Sequence, residues 1–190
     1  MRNRLTEIFR DPPTLFTDRL MLRKMERFDT DDMYEYAKLA DVTRYLTWEP
    51  HPDTGYTKKY LAFIAGKYKT YDFHDWAVCL RDSGKMIGTC GFTSLDAKNM
   101  CAEIGYVINP VYNGMGYATE AAKRIIEFGF NELDLERIEA KYITENSASR
   151  RVMNKLGMQF EGIHRNCLQL RGQFVSVGIC AVLKDEFIKK

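Results

Sequence analysis

Gly114 and Gly116 are the residues of this chain best suited to chemistry. They sit in the run Val107-Ile108-Asn109-Pro110-Val111-Tyr112-Asn113-Gly114-Met115-Gly116-Tyr117-Ala118-Thr119-Glu120-Ala121. An apolar stretch stops at Pro110, and an amphipathic pattern begins after Gly116. That order predicts a strand, a tight loop and a helix start. A helix start presents unpaired N–H groups and the positive end of the helix dipole. Glycines let a large anion approach the backbone closely. The segment therefore reads as a cradle for a phosphate or pyrophosphate.

Two familiar phosphate motifs fit less well. A dinucleotide-dependent oxidoreductase would carry a third glycine where Thr119 stands, on a first parallel unit rather than after an antiparallel meander. A P-loop is excluded by the lack of Gly-Lys-Ser/Thr. Cys79, Cys90, Cys101, Cys167 and Cys180 form no C-x-x-C pair, and most sit in apolar, strand-like segments, so they read as small buried hydrophobes. His51, His74 and His164 are scattered, and no metal site is predicted.

The elements that must position the glycine loop can be read from periodicity. Arg19 to Met25 alternates apolar and basic residues as a strand does. Thr30 to Ala40 puts Met33, Tyr36, Ala37 and Ala40 on one helical face, capped by Asp29 or Thr30. Thr43 to Pro50 is an aromatic-rich loop or short helix. A helix opens at Asp53 or Thr54 and runs to about Tyr71. Asp75–Arg81 and Lys85–Ser94 form a hairpin about Asp82-Ser83-Gly84, and Cys101–Asn109 is the next strand. Gly116–Phe130 is a helix, Arg137–Thr144 a strand, and Asn146–Leu156 a helix closed by Gly157. Two strands follow, Met158–Arg165 and Gln173–Leu183. The order is β-α-α-β-β-β-α-β-α-β-β, with residues 101–144 a parallel, right-handed β-α-β unit.

With 190 residues the chain suits one domain, and 45% apolar with 28% charged residues is ordinary globular composition. A net charge of +2 gives no argument for nucleic acid or a membrane surface. No apolar run reaches the ~18 residues of a membrane span. Met1 to Arg10 lacks the apolar core of a signal peptide, so a cytoplasmic location is expected.

Three motifs now carry a resemblance: Glu103-Ile104-Gly105-Tyr106-Val107-Ile108, Gly114-Met115-Gly116-Tyr117-Ala118-Thr119-Glu120-Ala121, and Asn146-Ser147-Ala148-Ser149-Arg150-Arg151-Val152-Met153-Asn154-Lys155-Leu156-Gly157-Met158. Together they resemble the GNAT superfamily of acetyl-CoA-dependent N-acetyltransferases, in particular the branch that includes the ribosomal-protein N-terminal acetyltransferases. The likeness runs from Thr17-Asp18-Arg19-Leu20 to about Leu183. It implies a single GNAT domain over residues 1–190 with its core at about 17–183. It implies a mixed α/β fold: a central, mostly antiparallel sheet of about seven strands, flanked by about four helices, with the parallel β-α-β unit at the acetyl-CoA site. The chain departs from the family pattern at Asn113, where Gln, Arg or Trp is common. It departs again at Ser176 and Cys180, where the branch often has Asp and an aromatic.

The resemblance implies roles. Transfer needs a base, because a free alkylamine with a pKa near ~10 is mostly protonated at neutral pH. It also needs a donor for the oxyanion and a proton for the departing thiolate. Glu103 is implied as the base and as an acceptor contact; a strand carboxylate in an ion pair is the other reading. Ser149 is implied to protonate the thiolate or to bind the co-substrate; local capping of the helix is the other. Where other superfamily members use a Tyr, this chain has Met153, which cannot serve. Tyr106, Val107 and Ile108 are implied to offer backbone groups to the pantetheine arm, with the Ile108 N–H towards the acetyl carbonyl. Asn113, Gly114, Met115, Gly116, Tyr117, Ala118 and Thr119 are implied to hold the pyrophosphate, and Asn146 to cap its helix and meet the pantetheine. Lys123, Arg124 and Arg151 suit either a 3′-phosphate or a solvated face. Tyr45, Trp48, His51 and Tyr56 fall where the family has an acceptor wall. The implied activity is acetyl transfer to a primary amine in a ternary complex, with a protein N-terminus first. A small-molecule amine (a polyamine, amino acid or aminoglycoside) comes next, and a non-catalytic acyl-CoA-binding module last. A homodimer is compatible with the family.

Overall fold

The computed structural model describes residues 7–70 and 73–188. Eight strands form one sheet: β1 Leu15–Phe16, β2 Leu20–Arg23, β3 His74–Leu80, β4 Met86–Asp96, β5 Cys101–Ile108, β6 Arg137–Ile143, β7 Gln159–Leu170 and β8 Gln173–Leu183. Their order across the sheet is β1-β2-β3-β4-β5-β6-β8-β7. All neighbours are antiparallel except β5 and β6. Helices that follow β2 among the described residues are α1 Thr30–Ala37, α2 Ala40–Thr43, α3 Thr54–Tyr68, α4 Tyr117–Asn131, α5 Ser147–Lys155 and α6 Lys184–Ile188. The expected end of α3 near Tyr71 lies outside the described residues.

Two apolar cores sandwich the sheet. On one face α4 buries Ala121, Ala122, Ile125 and Ile126, which recur at helical spacing, against Leu22, Trp76, Val78 and Ile138. Met153 and Leu156 of α5 join the same core. On the other face Met33 and Tyr36 of α1 and Leu61, Ile64 and Tyr68 of α3 cover Ala77, Cys79 and Met86. Two of the helices begin at side-chain caps. Asp53 accepts the Tyr56 N–H at 2.7 Å before α3, and Asn146 accepts the Ser149 N–H at 3.1 Å before α5. Gly157 ends α5 at φ 76°, the left-handed geometry expected of it.

The sheet departs from the sequence reading in two places. The two-residue β1 adds an eighth strand, and β7 runs on to Leu170 rather than stopping near Arg165. The more consequential feature is the parallel pair. β5 and β6 are in register only at Cys101↔Arg137, Ala102↔Ile138 and Glu103↔Glu139. Beyond that point β6 stays with β8 as far as Ile143, and β5 stays with β4 as far as Ile108. The sheet therefore splits into a wedge-shaped gap that opens past Glu103.

Candidate active site

The gap and the glycine loop lie on the same path. Asn109 N–H donates to Ile87 O at 2.7 Å, so this backbone position of β5 faces β4. Backbone groups alternate sides along a strand. Those of Ile108 and Tyr106 thus turn towards the gap, while the amide and carbonyl of Val107, opposite Thr89, turn to β4. The expectation that all three residues offer backbone groups to the gap is corrected for Val107: its side chain packs towards α1 and α3 instead.

Past Ile108 the chain makes a single 3-10 turn at Pro110–Tyr112, capped when the Asn109 side chain accepts the Val111 N–H at 3.1 Å. Asn113 then leads, extended and exposed, into Gly114 at φ 80° and Gly116 at φ 86°. Residues with a Cβ are strained in that region, whereas glycine is not. Gly116 is the N-cap of α4 and has no side chain to cap with, so the first-turn N–H groups of Tyr117, Ala118 and Thr119 receive no side-chain cap. All three residues are partly exposed. An uncapped helix mouth beside a left-handed glycine pair fits a diphosphate.

A feature the sequence reading missed fixes this mouth. Arg19, at the head of β2, donates to Met115 O at 3.0 Å and to Glu120 Oε2 at 2.7 Å, and its guanidinium lies 4.4 Å from the centre of the Tyr117 ring. Burial acts to raise the Glu120 carboxyl, but bonds from Thr17 and Arg19 outweigh it and hold the group below its ordinary range. The acid in the first turn is thus tied back to β2, away from the loop. In the sequence the Thr17-Asp18-Arg19-Leu20 tetrad marks the start of the family likeness and Arg19 opens a strand, with nothing to tie it to the glycine loop.

On the helical side of the gap, Ser149 stands in the first turn of α5. The Tyr106 hydroxyl donates to Ser149 O at 3.1 Å and lies 3.1 Å from Ser149 Oγ. Burial drives the Tyr106 phenol above its ordinary range, so it stays a neutral donor. Asn146 is the helix cap, as expected, and Met153 is buried in the core. Lys123 and Arg151 are exposed, and Arg151 donates to Ser147 Oγ at 3.1 Å.

Glu103 lies at the apex of the wedge, on the face towards α1 and α3. Its Oε2 accepts from Lys141 Nζ at 2.6 Å. That contact raises the Lys141 ammonium above its ordinary range. Lys141 also pairs with Glu139 at 3.2 Å, and Arg137 bridges Glu139 at 2.9 Å and Glu161 at 2.6 Å. The carboxylate is thus ion-paired, as the second reading expected, and it stands where β5 and β6 part.

The aromatic wall forms on the same face. Trp48 packs into the core beneath α1 and α3. His51 is buried, with Nδ1 2.9 Å from Thr57 Oγ1 and its ring between Trp48, Tyr56 and Tyr60 at 4.9–5.6 Å. Burial lowers the His51 imidazole below its ordinary range, so it is neutral at pH 7. Tyr45 stands partly exposed, 5.3 Å from the Arg44 guanidinium. A second contact the sequence did not reveal holds this loop: Arg171, at the β7–β8 turn, donates to the carbonyls of Thr43 at 3.0 Å, Arg44 at 3.2 Å and Trp48 at 3.1 Å. It also pairs with Glu49 at 3.3 Å. Cys79, Cys90 and Cys180 are buried, and Ser176 Oγ accepts the Asn166 N–H at 3.0 Å within an irregular stretch of β7.

A sheet split at its one parallel pair, with a glycine-rich helix mouth beyond the split, defines an acyl-CoA-type transferase fold. The acetyltransferase (GNAT) domain family matches residues 19–159. The uncharacterized N-acetyltransferase p20 of Bacillus licheniformis is 35% identical over 174 residues, covering 92% of this chain and 98% of that protein. A GNAT-family acetyltransferase from Bacillus anthracis superposes with a TM-score of 0.82 at 30% identity, covering 92% of this chain and 100% of that one. The acetyltransferase MccE of microcin C7 self-immunity, solved with acetyl-CoA and AMP, shares the fold at a TM-score of 0.78 and 16% identity, covering 88% of this chain and 93% of that one. The chain belongs to the GNAT acetyltransferase family, and it is an acyltransferase.

Proposed function

We propose that this protein transfers the acetyl group of acetyl-CoA directly to a single primary amine, a protein N-terminal amine in the first instance. One observation carries the reading: the wedge opens past Glu103 on β5, and Trp48 of the aromatic wall and Val107 of β5 pack against the same core, so a thioester in the gap and an amine by the wall come to one face of the sheet. Acetyl-CoA bound there supplies an activated carbonyl and a thiolate leaving group. The Gly114–Thr119 mouth holds the diphosphate, with Asn113 at its rim, and the backbones of Tyr106 and Ile108 hold the pantetheine, joined by Asn146. The Ile108 N–H polarises the carbonyl. Glu103 takes the amine proton, directly or through water, as the nitrogen attacks and the C–S bond breaks. Ser149, held by Tyr106, returns a proton to the sulfur. Cys79 and Cys90 lie buried on β3 and β4, beneath side chains of the two cores, which supports direct transfer over an acyl-cysteine.

Charge argues for a monoamine. The carboxylates of Glu103, Glu139 and Glu161 around the gap are each paired with Lys141 or Arg137. A polycation would find little surplus negative charge to recognise there. A thiol-release screen tests this. N-terminal peptides are expected to turn over with higher kcat/KM than spermidine, free amino acids or aminoglycosides. A polyamine turned over faster than every peptide would contradict the assignment.

A further inference from the structure

Arg19 has no part in the proposed chemistry, yet its guanidinium stands between a carboxylate and the helix mouth. On one side Nη2 pairs with Glu120 Oε2 at 2.5 Å, and Nε donates to the same oxygen at 2.7 Å. On the other, Nη1 donates to Met115 O at 3.0 Å, and Nη2 lies 3.5 Å from where a Cβ on Gly116 would be. The guanidinium also rests against the Tyr117 ring, which meets the Tyr112 ring edge to face at 6.1 Å. Those two rings flank the loop from Asn113 to Gly116, so a single cation touches the loop, the helix start and the acid behind them.

The cation is firmly mounted. Arg81, just after β3, donates its N–H to Arg19 O at 3.0 Å and its Nη1 to Thr17 O at 2.8 Å. Thr17 Oγ1 and the Arg19 N–H both donate to Glu120 Oε1, at 2.5 and 3.1 Å. Both carboxylate oxygens are therefore held by Thr17 and Arg19. The Glu120 side chain is 19% exposed and that of Arg19 is 47% exposed, so Arg19 rather than water does most of the screening.

Charge decides what this arrangement does. Glu120 stands in the first turn of α4. A carboxylate there satisfies the helix dipole itself and repels an incoming anion. Left unpaired, Glu120 would oppose a diphosphate from just behind the loop. Paired with Arg19 it is neutralised, and the dipole with the N–H groups of Tyr117, Ala118 and Thr119 is left to act on the anion. We infer that Arg19 is a positioning residue for acetyl-CoA: it cancels the Glu120 charge behind the helix mouth and holds the Met115 carbonyl, whose oxygen would repel a phosphate, towards β2. This rests on the acetyltransferase reading above and names the group that makes its diphosphate site receptive.

Calorimetric titration with acetyl-CoA, which needs no acceptor, compares the wild type with Arg19→Ala, Arg19→Lys, Glu120→Gln and the double variant Arg19→Ala/Glu120→Gln. Arg19→Ala uncovers the Glu120 charge and should weaken binding about tenfold or more. Arg19→Lys keeps the cation and should stay within about threefold of the wild type. Glu120→Gln removes the opposing carboxylate and should bind at least as tightly as the wild type. The double variant has no charge left to cancel, so it should regain about threefold or more over Arg19→Ala. A purely mechanical brace gives the opposite pattern: Glu120→Gln weakens binding, and the double variant is no better than Arg19→Ala. Either result overturns the role of Arg19 and leaves the acetyltransferase reading intact. If Arg19→Ala does not melt cooperatively, Glu120→Gln alone decides, and a loss of about threefold or more in its affinity overturns the role. S-acetylpantetheine, which lacks the diphosphate, tests the underlying site: wild-type protein should bind it far more weakly than acetyl-CoA, and equal affinity overturns both readings.

Discussion

Glu103 is held to Lys141 at 2.6 Å at the apex of the wedge, where β5 and β6 part. Glu103→Gln keeps the shape and removes the proton acceptor. It should cut kcat by about 100-fold, the scale of general-base catalysis, and leave acetyl-CoA affinity within about twofold. Stopped-flow or steady-state kinetics with a thiol reporter decide this, and an unchanged kcat and pH profile would remove Glu103 from the mechanism. Asp75 gives a stability prediction as well. Its carboxyl binds a proton more tightly in the folded chain, at about 7, than at its ordinary value of 3.8. The folded state is therefore favoured most below about pH 4, and this contribution is lost as pH rises towards about 7. Asp75→Asn carries no such charge. It should be more stable than the wild type at about pH 8, on the order of 2 kcal/mol, with the gap closing by about pH 4. Melting curves at both pH values check it; a gap that widens towards acid would contradict the buried-carboxylate account.

At the scale of elements, the proposed function depends on two joints. One is the Gly114–Gly116 loop, where both glycines take positive φ and Arg19 braces Met115 and Glu120. Gly116→Trp places a strained, bulky residue at the helix mouth, with the Arg19 guanidinium only 3.5 Å from its Cβ position. It should abolish acetyl-CoA binding in protein whose circular dichroism stays native, and normal affinity would refute the loop assignment. The other joint is Arg171, which ties the β7–β8 turn to the loop carrying Tyr45 and Trp48. Arg171→Ala should raise acceptor KM several-fold and leave acetyl-CoA affinity unchanged, a split that bisubstrate kinetics can resolve. These joints explain what was legible in the sequence. The α4 stripe, the Asn146 and Gly157 caps and the glycine loop were readable because each is local, set by residues within a few positions. The Arg171 contact spans 123–128 positions and follows no periodic pattern. The full length of β7 was hidden because it is mostly exposed and lacks an apolar alternation.

The whole molecule is a sheet held rigid on both faces and split at one seam. Trp76, packed at 5.7 Å against Phe128 and 6.4 Å against Phe92, anchors the α4 side, and the α1–α3 side is closed by Tyr36, Leu61 and Ile64. Such a scaffold can leave the seam open without collapse, because close-packed cores on either side resist it. Acetyl-CoA should then bind a preformed site and stabilise the fold by linkage, by about 2.7 kcal/mol at a hundredfold excess over its dissociation constant. The central claim is that the helix mouth past β5 takes the diphosphate of acetyl-CoA. Isothermal titration of the intact protein with acetyl-CoA measures it most directly. The account predicts saturable binding at one site per chain, lost in Gly116→Trp; no heat of binding up to millimolar acetyl-CoA, from protein that melts cooperatively, would contradict it.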